Sequence, residues 1–239
     1  MISADQMPNH RANRNTRRLD LALIAISAPL WVPVAATLAI AVLLASGRPV
    51  FFRQQRVGLN GQPFSMIKFR SMATGENPLV PDATRITRIG TVLRRSSLDE
   101  LPQLLNVIRG QMSLVGPRPM LPAQVDALSD TERARHSVRP GLTGLAQVSG
   151  RNSLLWEERF NHDLVWAHAP RTRTYLHILF RTIRVVVLGQ GVHGHDSTDR
   201  FVDLSVGRSE PTVVRLIDFD LTGSEDHGVL QDNERSASS

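Results

Sequence analysis

Two adjacent carboxylates, Asp99 and Glu100, stand in the densest polar stretch of the chain, between Lys68 and Arg118. Arg94 and Arg95 lie about one helical turn upstream, and Lys68, Arg70 and Arg118 sit among Gly, Pro and Ser. A carboxylate at a helix start beside arginines is expected to stay ionised at neutral pH, which suits a nucleophile. Arginines hold phosphate through paired hydrogen bonds, and the free N–H groups of a helix start add to that hold. Carboxylate and phosphate repel each other unless cations neutralise both; arginines alone could serve, and a bridging Mg²⁺ is the usual solution. A purely structural reading competes on these residues. Ser97-Leu98-Asp99-Glu100 resembles a capping box, and acidic residues near a helix N-terminus offset its dipole.

Other chemistries are less well provided for. The chain has no cysteine, which excludes a disulfide scaffold, a thiolate zinc site, an iron–sulfur cluster and a cysteine nucleophile. No P-loop, dinucleotide-binding fingerprint or HExxH occurs. Residues 189–195, GQGVHGH, hold two histidines without a third ligand in metal spacing and read as a linker. Of the 28 basic residues only Lys68 is a lysine, a bias that codon usage explains but that singles Lys68 out. From Ser209 to Ser239 seven acidic residues face two arginines, so the body of the chain is more basic than the overall +6. Such a body seeks phosphate: nucleic acid, anionic lipid or a phosphorylated small substrate.

The elements that must position these residues begin with Leu21 to Ala45, 25 residues without a charge. As a helix this run is about 37 Å long, enough to cross a hydrocarbon core and too long for a signal-peptide core. Arg14, Arg17 and Arg18 precede it, and Arg48, Arg53 and Arg56 follow, so both ends favour the cytoplasm. Pro29 and Pro33 are expected to kink or break the helix. A re-entrant helix that turns near the prolines and a kinked span both satisfy these facts. Asn60-Gly61 between two β-prone runs predicts a hairpin. Helices are expected over 84–95, 99–109, 153–168 and 172–188, a short one over 129–137, and loop or short strand over 139–151. In the 99–109 helix Leu98, Leu101, Leu104, Leu105 and Ile108 fall on one face. In the last helix Ile178, Leu179, Ile183 and Val186 oppose Arg173, His177, Arg181 and Arg184, a pattern suited to anionic lipid or to solvent. The expected organisation is a basic segment (1–18), a re-entrant membrane helix (19–47), a cytoplasmic catalytic domain (48–190) and an acidic, largely disordered tail (191–239). The fold class is α+β and mostly helical, with a small β-hairpin and amphipathic helices at the membrane surface.

Three long motifs, KFRSM at 68–72, SLDELPQLLNVIRGQMSLVGPRP at 97–119 and VRPGLTGLAQVSGRN at 138–152, resemble those of the bacterial sugar transferases. These are small, monotopic polyprenyl-phosphate hexose-1-phosphate transferases. The likeness runs from RRLD at 17–20 to the region near Gly191. It implies transfer of a sugar-1-phosphate from a UDP-sugar to undecaprenyl phosphate, with release of UMP, at the cytoplasmic face of a bacterial inner membrane. It implies Asp99 as nucleophile, Glu100 as proton-transfer or Mg²⁺-organising partner, and both as metal ligands. By the resemblance Lys68, Arg94 and Arg118 would contact phosphate and Asp163 would serve the nucleotide site; Arg70 and Arg95, basic neighbours of the pair, are expected to contact phosphate as well. The family's Ser-Pro at the helix break corresponds here to Val32-Pro33, so a break is expected at Pro33, with Pro29 one turn earlier. Implied partners are the UDP-sugar, the lipid phosphate and inner-membrane lipid, with no nucleic acid; a homo-oligomer stays open. A basic nucleic-acid binder would leave the apolar run unexplained, and a non-catalytic membrane adaptor would make Asp99 and Glu100 dispensable.

Overall fold

A computed structural model describes residues 10–73, 85–150 and 154–187. The linker at 189–195 and the acidic tail lie outside them. Helix α1, His10–Ser46, begins inside the basic N-terminal stretch and carries the whole apolar run. It is followed by strands β1, Phe51–Val57, and β2, Pro63–Phe69. Then come α2, Arg88–Arg95, a 3₁₀ segment, Leu98–Gln103, and α3, Leu104–Ile108. Strand β3, Ser113–Val115, precedes α4, Pro122–Asp126, α5, Asp130–Arg133, and a 3₁₀ turn, Ala134–Ser137. The described chain closes with β4, Gly141–Thr143, α6, Leu145–Ser149, α7, Trp156–His168, and α8, Thr172–Val187. The result is mostly helical with a small antiparallel hairpin, as expected.

The hairpin pairs Phe52 with Lys68, Gln54 with Met66 and Arg56 with Phe64. Asn60 (φ 53°) and Gly61 (φ 76°) supply the left-handed conformations of its turn. Because side chains alternate along a strand, Gln54, Arg56, Met66 and Lys68 share one face of the hairpin. The sequence patterns did not reveal the second sheet, in which β3 and β4 pair in parallel, Ser113 with Gly141 and Val115 with Thr143. That pairing depends on glycine: a Cβ on Gly141 would lie 2.1 Å from Gly116 N, and one on Gly116 would lie 2.3 Å from Arg139 O. Only a bare backbone permits this approach.

Two expectations need correction. The prolines do not interrupt α1, which is helical throughout. Ile24, Trp31, Ala35, Leu38 and Val42 all pack against the domain, at spacings of three, four and seven, so one stripe keeps helical phase across Pro29 and Pro33. Near the missing proline N–H groups, Ser27 Oγ donates to Leu23 O (2.7 Å) and Trp31 Nε1 to Ile24 O (3.1 Å), so side chains take up neighbouring carbonyls. The expected 99–109 helix is also divided. Pro102 lies within its 3₁₀ part, and the α-helical part starts only at Leu104. Its leucine face is not uniformly inward: Leu104 is buried, whereas Leu105 and Ile108 are exposed.

Both ends of α1 are fastened to the domain. At the N-terminal end, the buried Asp20 Oδ1 accepts hydrogen bonds from Tyr175 Oη (2.7 Å), Leu114 N (2.9 Å) and Ser113 Oγ (3.0 Å). Arg17 donates to the carbonyls of Val107 and, at 2.8 Å, Ile108, at the C-terminal end of α3. At the other end, the buried Arg70 donates to the carbonyls of Ser46, Gly47 (2.8 Å) and Arg48 (3.0 Å). The opposite side of α1 is bare: Ile26, Leu30 and Leu44 are 77%, 72% and 82% exposed. Among the described residues α1 holds the one segment long and apolar enough to cross a membrane, Thr16–Ser46.

His136 offers a test of the domain's packing. Burial, and the charge of Arg135 next to it, lower its pKa from 6.5 to about 4. The unfolded chain therefore takes up a proton before the folded one does. Stability is full above pH 6.5 and falls as the pH drops towards 4, by on the order of 3 kcal/mol. Denaturant melts at several pH values should show a shallower acid slope for His136→Gln than for the parent protein.

Candidate active site

The 3₁₀ segment lies against β2, and two features fix it there. Asn106, fully buried in the middle of α3, accepts from Ile67 N (3.1 Å) and donates to Ser65 O (2.8 Å), acting as a strand partner for the free edge of β2. Ser97, at φ 58°, holds a left-handed conformation uncommon for a residue with a side chain and turns the chain sharply out of α2. Ser97 makes no side-chain cap, so the capping box suggested by the sequence does not form here. In a 3₁₀ helix successive residues are rotated by about 120°, so Asp99 and Glu100 leave the backbone in different directions.

Glu100 points at the hairpin face. Its Oε1 receives Lys68 Nζ at 2.6 Å and Arg118 Nη2 at 3.1 Å. Burial alone would raise its pKa, but the two cations overcome that and hold it at about 2, against an ordinary 4.5. Asp99 behaves oppositely, and this corrects the expectation that its neighbouring arginines leave it readily ionised. Burial pushes its pKa above the usual value, Glu100 adds to that, and Lys68, Arg94 and Arg118 pull against it. The two neighbouring carboxyls thus differ in acidity because one is in direct contact with cations and the other is not.

Beside Glu100 lies a small open cleft, lined by Arg56, Met66, Glu100, Gln103, Arg118, Pro119 and Gly141. Arg118 reaches in from a loop with its side chain half exposed. Arg56 Nη1 donates to Pro119 O (3.2 Å) and Nη2 to Gln54 Oε1 (2.7 Å), tying that loop to the hairpin. The close approach of Gly116, just past β3, and Gly141 in β4 brings Gly141 to the cleft wall.

The site residues expected from the sequence fall into two groups. Lys68, Arg94, Asp99, Glu100 and Arg118 come together; Arg94 Nε also donates to Ser71 Oγ at 2.9 Å. The other three are placed elsewhere. Arg70 caps the end of α1, and Arg95 is exposed on α2. Asp163 is buried in α7 and paired with Arg135, whose guanidinium also donates to Arg118 O at 2.9 Å and stacks 5.7 Å from the Phe160 ring. Asp163 therefore reaches the cleft only through the Arg118 backbone. Sequence reasoning missed Arg56 and Gln103. Hairpin register would have found Arg56, since it shares the parity of Lys68 across an Asn-Gly turn.

Among the described residues no three His, Asp or Glu gather as a metal cluster. The donor set nevertheless suits Mg²⁺, which binds through one or two carboxylates together with phosphate oxygens. The Asp99 carboxylate and Glu100 Oε2 are hard oxygens outside both ion pairs.

A profile of the family described as bacterial sugar transferase matches residues 12–189, most of the chain. The chain belongs to that family. It is 42% identical over 165 residues to an uncharacterized sugar transferase, EpsL, of Bacillus subtilis, covering 67% of this chain and 82% of that one. It is 38% identical over 191 residues to the exopolysaccharide production protein ExoY of Sinorhizobium fredii, covering 72% and 82%. It is 46% identical over 152 residues to the UDP-glucose:undecaprenyl-phosphate glucose-1-phosphate transferase of Caulobacter vibrioides, covering 60% and 57%. With that last relative, the match spans little more than half of the longer protein.

The Arg135–Asp163 pair yields a prediction. Asp163→Asn leaves a buried guanidinium without its counter-charge and should lower stability by roughly 3–5 kcal/mol. The double replacement Arg135→Met, Asp163→Leu should recover most of that loss. Thermal melts of the detergent-solubilised protein would check both.

Proposed function

We propose that the protein transfers a sugar-1-phosphate from a UDP-sugar to undecaprenyl phosphate, releasing UMP, as the first step in assembling an exopolysaccharide or capsule. The observation that carries this is the Asp99–Glu100 pair set against Lys68, Arg94 and Arg118 in a chain of this family. In the reaction Asp99, as carboxylate, attacks the sugar-bearing phosphorus, and the bond from that phosphorus to the UMP oxygen breaks. An oxygen of the lipid phosphate then attacks the same phosphorus and displaces Asp99, leaving a diphosphate-linked lipid. Glu100, held ionised at neutral pH, is a poor proton acceptor; its role is to fix Lys68 and Arg118 where charge develops. Mg²⁺, held by Asp99 and Glu100, would supply charge neutralisation between carboxylate and phosphate.

The same reading places the domain at the cytoplasmic face of the membrane, with both ends of α1 on one side. Arg17 and Asp20 bind one end of α1 to the domain and Arg70 binds the other, whereas a helix crossing the bilayer would carry its ends to opposite faces. The bare side formed by Ile26, Leu30 and Leu44 suits lipid. On α8, exposed Leu176, Phe180 and Ile183 recur at helical spacing beside Arg173, His177 and Arg184, which suits an anionic lipid surface.

Asp99→Asn should abolish UMP release while leaving the melting temperature and membrane association unchanged; near-normal release would remove Asp99 as nucleophile. Excess chelator should stop the parent enzyme, and added Mg²⁺ should restore it. For topology, Cys introduced at Asn9 or Asn60 should be shielded from an impermeant thiol reagent in intact cells and react after lysis. Reaction of Asn9→Cys in intact cells would mean that α1 crosses the membrane.

A further inference from the structure

The cleft beside Glu100 contains polar groups that nothing in the protein satisfies. Gln103 is 98% buried by its 2% residual exposure, and its Nε2 has no acceptor. Arg56 Nε is likewise buried without one. Both side chains line the same cleft, alongside Arg118. A buried donor without an acceptor is costly, and two around one cavity are unusual in a native fold. The charges are unbalanced in the same sense. Lys68 and Arg118 both bear on Glu100, and Arg56 spends its bonds on neutral oxygens, Pro119 O and Gln54 Oε1. Asp99, beside Glu100, is the second carboxylate of this cluster, so Lys68, Arg56 and Arg118 face two carboxylates of which one is directly paired. What the cleft lacks is an acceptor for Gln103 Nε2 and Arg56 Nε.

We infer that Arg56 and Gln103, together with Arg118, form a subsite for phosphoryl oxygens, with the Gln103 amide and the Arg56 guanidinium contacting the substrate directly. The inference rests on the phosphate-transfer reading above and adds two contacts to it. A phosphoryl oxygen accepts from several donors at once and carries negative charge. The amide of glutamine turns readily about its last bond, so its NH₂ can meet a ligand entering the cleft. Gln103 lies three residues after Glu100 in the 3₁₀ segment, one turn on, so both project to the same side and a phosphate held by one is within reach of the other's neighbourhood. The phosphate could be that of the nucleotide donor or of the lipid acceptor, since both present the same oxygens.

The decisive variant is Gln103→Met, which keeps the shape and removes the unsatisfied amide. A structural glutamine would lower the melting temperature on replacement. A ligand-binding one leaves it unchanged or raised. Gln103→Asn, which withdraws the amide by one methylene, is the second variant. With the full chain in detergent, both should raise a KM at least tenfold, Gln103→Met doing so at an unchanged or higher melting temperature. A rise in KM for the UDP-sugar assigns the subsite to the donor diphosphate; a rise for undecaprenyl phosphate assigns it to the acceptor. KM values within twofold of the parent for both substrates would overturn the inference, as would a lower melting temperature accompanying the loss in Gln103→Met. Sodium pyrophosphate, without added metal, should raise the melting temperature of the parent protein and not that of Gln103→Met; equal stabilisation of both would also overturn it. Failure of the parent protein to release UMP from any UDP-sugar would sink the reading of the reaction, and the pyrophosphate melts would still decide the subsite.

Discussion

One carboxylate oxygen, Asp20 Oδ1, takes three hydrogen bonds from two elements: from Ser113 and Leu114 on β3, and from Tyr175 on α8. This one atom joins the apolar helix, the parallel sheet and the last described helix. Arg17, one turn earlier, adds the end of α3 to the same assembly. Because β3 leads directly into the loop that carries Arg118, the position of α1 and the position of a cleft residue are set by the same contacts. The hydrophobic cluster of Ile24, Leu104, Val107, Leu114, Trp166 and Tyr175 forms around this polar knot. Burying that carboxylate is costly and is tolerated because its donors are so placed, which gives the fold little freedom to rearrange locally.

At the cleft the same economy appears with charge. Glu100 serves as an internal counter-ion that gathers Lys68 from the hairpin and Arg118 from the loop. Asp99, one residue earlier, is left without a direct cation partner. In the proposed reaction a tight ion pair would weaken Asp99 as a nucleophile; without one, burial makes it a stronger base and leaves its oxygens open. The 3₁₀ geometry makes this division possible, because an α-helical turn with a capping box would have turned Glu100 back onto the backbone.

Much of this architecture was legible in the sequence, and where it was not, the reason is physical. The hairpin followed from Asn60-Gly61, and the apolar helix from its length; α8 is helical as expected, but Ile183, read as opposite the basic side, is exposed beside Arg184. The grouping of Lys68, Arg94, Asp99, Glu100 and Arg118 followed from residue type and motif. The parallel β3–β4 pair was hidden because each strand is three residues long and its signal lies in glycines that matter only when two distant backbones meet. Arg70 and Asp163 were assigned to phosphate and nucleotide by position along the chain, yet Arg70 caps α1 and Asp163 neutralises Arg135. A buried ionisable group that serves packing has the same letter as one that serves chemistry. The prolines misled in the other direction: their cost to the helix is real, but packing along one stripe from Ile24 to Val42 outweighs it.

Lys68 carries a further consequence. It is the chain's sole lysine, and its Nζ lies against Glu100 at the edge of the cleft. Acylating and imidate reagents that would decorate an ordinary protein at dozens of places find a single side-chain amine here, and it belongs to the site. The rate at which that amine is modified is therefore a direct optical or mass-spectrometric gauge of how open the cleft is, on a molecule otherwise silent to such reagents along its side chains.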